Sequence, residues 1–159
     1  MNVARMASWV ALLTPMSVSA VSQPVPADFR VYARFVSGDV ILMEGKVWEI
    51  TLTGDGSVSQ KTKALAGDKS RVVKQHLATA KVLQLFDAIE RYSFFGLPAR
   101  YESELTDCPP LILSVTARGR SHKVVFQPCM RTEPSARRFE RIWEAVLRAL
   151  APSELPKKI

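Results

Sequence analysis

The stretch that decides the fold is CPPLILSVTARGRSHKVVFQPC, residues 108–129. Apolar and polar residues alternate on both sides of Arg118-Gly119, a pattern typical of two antiparallel strands joined by a two-residue turn. With this turn, the numbers of cross-strand partners sum to 237. The apolar side of the predicted hairpin is formed by Leu111, Leu113, Val115, Val124 and Phe126. The polar side is formed by Ser114, Thr116, Ser121 and Lys123.

Cys108 and Cys129 are the two cysteines of the chain, and their numbers also sum to 237. Because pair types alternate along an antiparallel ladder, they fall at a non-hydrogen-bonded pair, within disulfide reach. Pro109 and Pro128 cannot donate to the ladder, so the sheet should fray beside them. We predict a Cys108–Cys129 disulfide. The alternative is a pair of free redox thiols, although the chain lacks C-x-x-C spacing.

The first 20 residues, MNVARMASWVALLTPMSVSA, have the features of a secretory signal peptide. Arg5 precedes an apolar stretch, and Val18-Ser19-Ala20 supplies small residues for cleavage after Ala20. A membrane anchor is the alternative, but the apolar stretch is shorter than the roughly 20 residues that span a bilayer. We therefore predict export to the periplasm or beyond the cell, with no transmembrane segment in the mature chain.

The predicted mature chain has a length typical of a single domain, and it is basic. We divide the sequence into a signal peptide (1–20), an extended leader (21–29), a single domain (30–151) and a flexible tail (152–159). Without Arg5, the chain has 21 basic and 15 acidic side chains, a formal net charge of +6. This charge permits an anionic partner. Nucleic acid is not expected, because the positive charges are scattered among acidic residues and the protein is predicted to be exported.

Strand-like runs followed by a helix occur twice in the sequence. The first half has runs at 30–36, 47–53, 57–63 and 70–76, with a turn at 54–56, and then a helix that Thr79 could cap. The second half is the cysteine-bracketed hairpin followed by a helix from Pro134 to Leu150. We predict an α+β fold with two layers, an antiparallel sheet with both helices packed on one face.

Residues 47–150 resemble a functionally uncharacterised family of exported bacterial domains. Four features carry the resemblance: the ITLTGDGSVS hairpin, the SFFGLPARY segment (93–101), Thr106-Asp107 followed by prolines, and a second hairpin before a helix. Family members often have cysteines near the first strand, where this chain has none. The resemblance implies a fold and a location in the cell envelope, and it supplies no activity.

Candidate catalytic groups are sparse. The acidic connector 101–107 carries Glu102, Glu104 and Asp107, which could pair with His76 or His122. This spacing matches no zinc motif, and no G-x-S-x-G elbow occurs. Asp107 is also suited to bond backbone N–H groups as a structural cap. We predict no catalytic residue, metal ligand or cofactor.

A possible binding surface comprises Trp48, Arg118, Arg120 and Lys123. Trp48 lies on a strand whose facing is ambiguous, and the three cations form a basic hairpin tip. We predict a non-enzymatic envelope domain that binds or scaffolds a protein or an anionic envelope component, with the basic outer face of the sheet as the expected surface. The alternative is a small secreted hydrolase or metal-dependent enzyme that uses the connector 101–107.

Overall fold

The computed structural model describes residues 24–39, 44–101, 108–128 and 134–150. Four strands come first: β1 (Arg30–Asp39), β2 (Glu44–Thr53), β3 (Ser57–Ala64) and β4 (Ser70–His76). Helix α1 (Thr79–Arg91) and a 3₁₀ turn (Phe94–Gly96) follow. The chain continues through β5 (Arg100–Tyr101), β6 (Leu111–Ala117), β7 (Arg120–Phe126) and helix α2 (Pro134–Leu150).

The strands form one sheet in the order β4-β3-β2-β1-β6-β7-β5. All neighbours are antiparallel except β5, which runs parallel to β7. β1 is central because it pairs with β2 on one side and β6 on the other. The sheet therefore joins the first four strands to the second hairpin and is not closed into a barrel.

The predicted fold class, a two-layer α+β fold on an antiparallel sheet, is wrong. The described residues form a mostly β structure, with a seven-stranded mixed sheet and two α-helices. Two features account for the difference. β1 and β2 each extend three residues further than the apolar pattern indicated, since backbone pairing continues past the core. Arg100-Tyr101 pairs in parallel with β7, and Tyr101 packs on Phe126 with ring centroids 5.3 Å apart.

One side of the sheet forms the core with side chains from both helices. Phe86 of α1 contacts Phe29, just before β1, with ring centroids 5.2 Å apart. From α2, Phe139 stacks on Phe126 at 4.6 Å, and Trp143 meets Phe35 at 5.6 Å. On α1, the apolar side chains at i, i+3, i+4 and i+7 are all buried, namely Val82, Leu85, Phe86 and Ile89. Thr79 does not cap this helix, because Ala78 is the N-cap residue and no side-chain cap bond forms.

The predicted register of the second hairpin is confirmed. Its pairs run from Leu111↔Phe126 to Ala117↔Arg120, and each pair sums to 237. Arg118 and Gly119 have φ values of 53° and 70°, as a two-residue turn of the primed type requires. The ladder ends at Leu111 and Phe126, before Pro109 and Pro128.

Asp28 anchors this turn from the N-terminal segment. The backbone N–H groups of Arg118 and Gly119 donate to its carboxylate at 2.8 and 2.6 Å. The bonds from Gly119 and Arg118 lower the pKa of Asp28. Arg118 is a non-glycine residue in the left-handed region, so the two bonds hold a conformation that its side chain disfavours. The next residue, Phe29, is 1% exposed. Residues predicted as leader thus contribute to the folded domain.

The turn between β2 and β3 depends on a second carboxylate, Asp55. It accepts hydrogen bonds from the Thr53 hydroxyl at 2.5 Å, and from the Ser57 N–H and hydroxyl at 3.0 Å each. The Thr53 hydroxyl contributes most, followed by the Ser57 groups, and together they lower the pKa of Asp55 to about 2. The Asp55 carboxylate thus provides hydrogen-bond acceptors for the polar groups of its own turn.

We predict that stability depends on these two carboxylates at acidic pH. An unfolded Asp titrates near 3.9, about two units above folded Asp55, so its contribution is full above that value and is lost as pH falls toward about 2. Thermal unfolding followed by circular dichroism between pH 2 and 5 should show a smaller decline for Asp55→Ala than for the wild type. Asp28→Ala should also show a smaller decline in stability at acidic pH than the wild type, because the pKa of Asp28 is lowered in the folded protein.

Ser59→Ala is the control, because Ser59 is exposed on β3 outside both turns. It should follow the wild-type curve. An Asp55→Ala variant with the wild-type acid dependence would refute the role given to this carboxylate.

Candidate functional site: the outer face of the sheet

The outer face of the sheet is the side opposite the core. Its side chains alternate with buried ones along each strand: on β1, Tyr32 and Arg34 are half-buried, whereas Val31, Ala33 and Phe35 are at most 1% exposed. Strand register places Arg34 beside Glu49, Glu49 beside Lys61, and Lys61 beside Val72. Four neighbouring strands thus supply one continuous row.

We call Arg34, Lys61, Lys63 and Lys74 the basic sheet face. Lys63 and Lys74 lie on the same side of β3 and β4 as Lys61, because side chains alternate along a strand. Glu49 is the one acidic side chain on the outer face of the strands that the structure describes. Positive charge therefore exceeds negative charge across β1 to β4.

A shallow cavity of about 150 Å³ lies within this surface. Arg34, Val47, Glu49, Lys61 and Lys63 line it. Arg34 Nε is 3.7 Å from Glu49 Oε1, and both side chains are about two-fifths exposed. Exposed pairs of this kind contribute little to stability. Lys63 Nζ also lies 3.4 Å from Asp68 Oδ1, in the turn after β3. Three cations beside two carboxylates still leave N–H donors that suit a carboxylate or phosphate group.

Tyr32 borders the same charges. Burial raises its pKa, the negative charge of Glu49 raises it further, and Arg34 opposes these effects. A hydrogen bond with Glu49 also favours the protonated phenol. Tyr32 thus keeps its hydroxyl as a hydrogen-bond donor to Glu49.

Trp48 is a core residue. It is 4% exposed, stacks on Phe35 with ring centroids 6.1 Å apart, and donates its indole N–H to Ser37 Oγ at 2.8 Å. The β2 register places it on the side of Ile50 and Leu52, which are buried. The structure therefore does not include Trp48 in a binding surface.

Arg118, Arg120 and Lys123 do not form one patch. The Arg118 guanidinium lies 5.3 Å from the centre of the Phe86 ring, and its Nη1 is 3.8 Å from Glu90 Oε2. The Arg120 guanidinium lies 4.4 Å from the centre of the Phe95 ring. Both arginines thus contact the helical side of the protein. Lys123 is exposed and pairs with Ser114 on the outer face.

The two histidines lie far apart. His76 is on edge strand β4, and His122 is on β7. Five strand spacings separate them in the sheet order, about 24 Å at about 4.8 Å per spacing. They also project to opposite sides, since His76 pairs with Ser57 and His122 with Val115. His122 Nε2 lies 2.9 Å from the Leu97 carbonyl oxygen.

The acidic connector is described by the structure at Tyr101 alone. Residues 102–107, which include Glu102, Glu104 and Asp107, lie outside the described residues. The proposed cap at Asp107 therefore stays a prediction. Within the described ranges, no three His, Cys, Asp or Glu side chains are grouped to hold a metal ion.

A larger groove of about 400 Å³ lies between α1 and α2. Its lining includes the cations Lys81, Arg91, Arg141 and Arg148. Glu144 lies 3.6 Å from Arg141 and 3.8 Å from Arg148, and Asp87 also lines the groove. Two acidic side chains thus accompany four cations here, as Glu49 and Asp68 accompany the four cations of the basic sheet face. The outer sheet face is our candidate for an anionic partner because its cations lie on one surface of four adjacent strands.

No protein-family model and no curated protein matches the chain. The resemblance to exported bacterial domains therefore stays a prediction from sequence. Across the described residues, no helix combines the length and apolarity needed to cross a bilayer.

Cys108 is half-buried and is not a free thiol. Cys129 lies outside the described residues, so its pairing with Cys108 stays a prediction. The confirmed register of the hairpin supports this pairing, because continuing the 237 sum past Leu111 and Phe126 reaches these two residues.

We predict that mass analysis of the intact protein detects the disulfide. Reduction should add two hydrogens, and Cys108→Ser should remove this shift. The closed loop of about 20 residues corresponds to about 3 kcal/mol of unfolding free energy in the chain-entropy description. Urea denaturation of Cys108→Ser should show a loss of that order, and Ser114→Ala, on the same face, serves as the control. An unchanged mass on reduction would exclude the bond.

Proposed function

We propose that the mature chain is an exported, non-enzymatic envelope domain that binds an anionic partner through the basic sheet face. The partner is a protein or another component of the envelope. One observation carries this proposal: Arg34, Lys61, Lys63 and Lys74 share the outer face of four neighbouring strands, and the described acidic side chains beside them are Glu49 on β2 and Asp68, which pairs with Lys63.

The arrangement suits association with a negatively charged surface. Charges of one sign on a broad face attract an opposite charge over several ångströms and accelerate encounter. Lys61 and Lys63 are exposed, so they can reorient toward a ligand without breaking the core. Since the Debye length is about 10 Å at 0.1 M salt, binding through this face should weaken as salt increases.

The N-terminal signal supports the location. A basic n-region, an apolar stretch and Val18-Ser19-Ala20 precede the first described residue, Pro24. Phe29 is in the core and Asp28 anchors the β6–β7 turn, so the folded domain requires the chain from about this point onward. Cleavage after Ala20 would leave these contacts intact.

We predict that the charge of the basic sheet face controls partner capture. Mature protein carrying Lys61→Glu and Lys63→Glu should lose the partner that the wild type retains from envelope extract at low salt. The measurement is affinity capture with quantitative mass spectrometry at two salt concentrations. The loss is expected because both substitutions reverse a charge at the cavity that these lysines line on the basic sheet face.

Lys81→Glu with Arg137→Glu is the matched control. It makes the same change in net charge at exposed positions on the helices. This variant should keep the partner. Equal loss in both variants would mean that net charge alone controls retention, and the assignment to the sheet face would then be wrong. Absence of any stoichiometric partner at low salt would contradict the binding proposal.

We predict that export removes the first 20 residues, and N-terminal sequencing tests this. N-terminal sequencing of the protein recovered from a cell-envelope or culture fraction should begin at Val21, because cleavage follows Ala20. A variant with Ala20→Arg should retain its first residues, since signal peptidase requires a small residue there. Recovery of the wild-type protein with an intact N-terminus and only inside the cell would overturn the export proposal.

A further inference from the structure

Strand β4 leaves one edge of the sheet open within the described part of the chain. Its described partner strand is β3, and all seven residues from Ser70 to His76 are exposed. The Leu77 N–H donates to the Gly56 carbonyl, and the Ala64 N–H donates to the Lys69 carbonyl. Odd-numbered residues of β4 therefore direct their backbone groups toward β3. Even-numbered residues direct theirs away, to the open edge.

This edge lacks proline, a bulge and short length, and charge from Arg71 and Lys74 is the feature it retains against strand addition. Natural edges are protected from pairing by proline, bulges, short length or charged side chains, and the last of these repels a second basic strand but not an acidic one. β4 contains no proline, pairs with β3 without a break from Ser70 to His76, and is seven residues long. Val72 and Val73 at its centre are 54% and 37% exposed and point to opposite faces. The opposite edge, β5, is two residues long. β4 is thus the better template for an added strand.

Charge indicates which kind of strand would add. Arg71 and Lys74 flank the two valines, and Lys61 and Lys63 lie on the adjacent strand. Neither β3 nor β4 contains an acidic residue. A second copy of this chain would bring two such basic edges together. An acidic segment would instead place opposite charges in cross-strand positions, which stabilise a sheet.

We infer that β4 accepts an extended acidic segment of a partner protein as an eighth strand of the sheet. In an antiparallel register, the segment places an acid opposite Lys74, apolar residues opposite Val73 and Val72, and an acid opposite Arg71. Main-chain bonds supply affinity, and the alternating side chains supply selectivity. This inference rests on the proposed function and specifies how the basic sheet face engages its partner.

The test uses the full mature protein and a synthetic probe. The probe is an acetylated and amidated peptide, Thr-Glu-Val-Val-Glu-Thr, with a fluorescent label, and binding is followed by fluorescence anisotropy. Val72→Pro removes an outward N–H while leaving the bonds to β3 in place, because Val72 is even-numbered. We expect affinity to fall about tenfold or more. Val72→Thr keeps the N–H and is the matched control; it should bind within about threefold of wild type.

A second measurement uses the wild-type protein and so does not depend on the folding of a variant. The same peptide with both valines N-methylated keeps its charge but cannot donate main-chain bonds from these residues. It should bind about tenfold more weakly or not at all. A peptide with lysine in place of both glutamates should not bind. Hydrogen exchange of the Val72 and Lys74 amides should slow when the unmodified peptide is present.

The outcomes separate this inference from the proposed function. If Lys61→Glu with Lys63→Glu abolishes peptide binding but Val72→Pro and N-methylation leave it unchanged, the face binds acids without strand addition and the inference is overturned. Sedimentation that shows a dimer of the protein disrupted by Val72→Pro would assign the edge to a second copy, which also overturns it. No binding of the acidic peptide at low salt would refute the inference, while capture of another anionic partner would leave the proposed function standing.

Discussion

The pairing of β1 with β6 is the interaction on which the rest of the structure depends. It joins residues 30–34 to residues 112–116, and without it the β4-β3-β2-β1 meander and the second hairpin would be separate small sheets. Ala33 lies at this seam between Ile50 and Leu113, and all three are fully buried. Helix α2 then contacts both halves, through Trp143 on Phe35 and Phe139 on Phe126. The core is continuous because the backbone ladder is continuous.

Local patterns in the sequence predicted most of the elements. The four early strands, both helices and the register of the second hairpin depend on alternation, a helical stripe and turn residues, which act over a few positions. The β1–β6 seam and the parallel β5–β7 pair were beyond such reasoning, because two residues such as Arg100-Tyr101 carry no pattern of their own. Their pairing is set by the backbone of a distant strand. For the same reason the mixed, mostly β architecture was not predicted.

The candidate site was predictable only in outline. A basic outer face was expected, but its residues were sought at the hairpin tip, where Arg118, Arg120 and Lys123 are close in sequence. The structure turns the two arginines over the rings of Phe86 and Phe95, where a cation is attracted to the aromatic face. The basic sheet face needs the strand order as well, since Arg34, Lys61 and Lys74 lie on three different strands. Lys61 and Lys63, alternating with Gln60 and Thr62, were the available signal in the sequence.

The anchoring of the β6–β7 turn by Asp28 has a consequence for the order of folding. A two-residue hairpin is ordinarily local and can form within microseconds. Here Arg118 adopts a left-handed conformation whose stabilising bonds come from a carboxylate 90 residues earlier. Forming these bonds closes a loop of 90 residues, so the hairpin turn also bears the entropic cost of closing that loop. The turn acquires these two bonds when the N-terminal segment docks, so its stability is coupled to that of residues far away in the sequence.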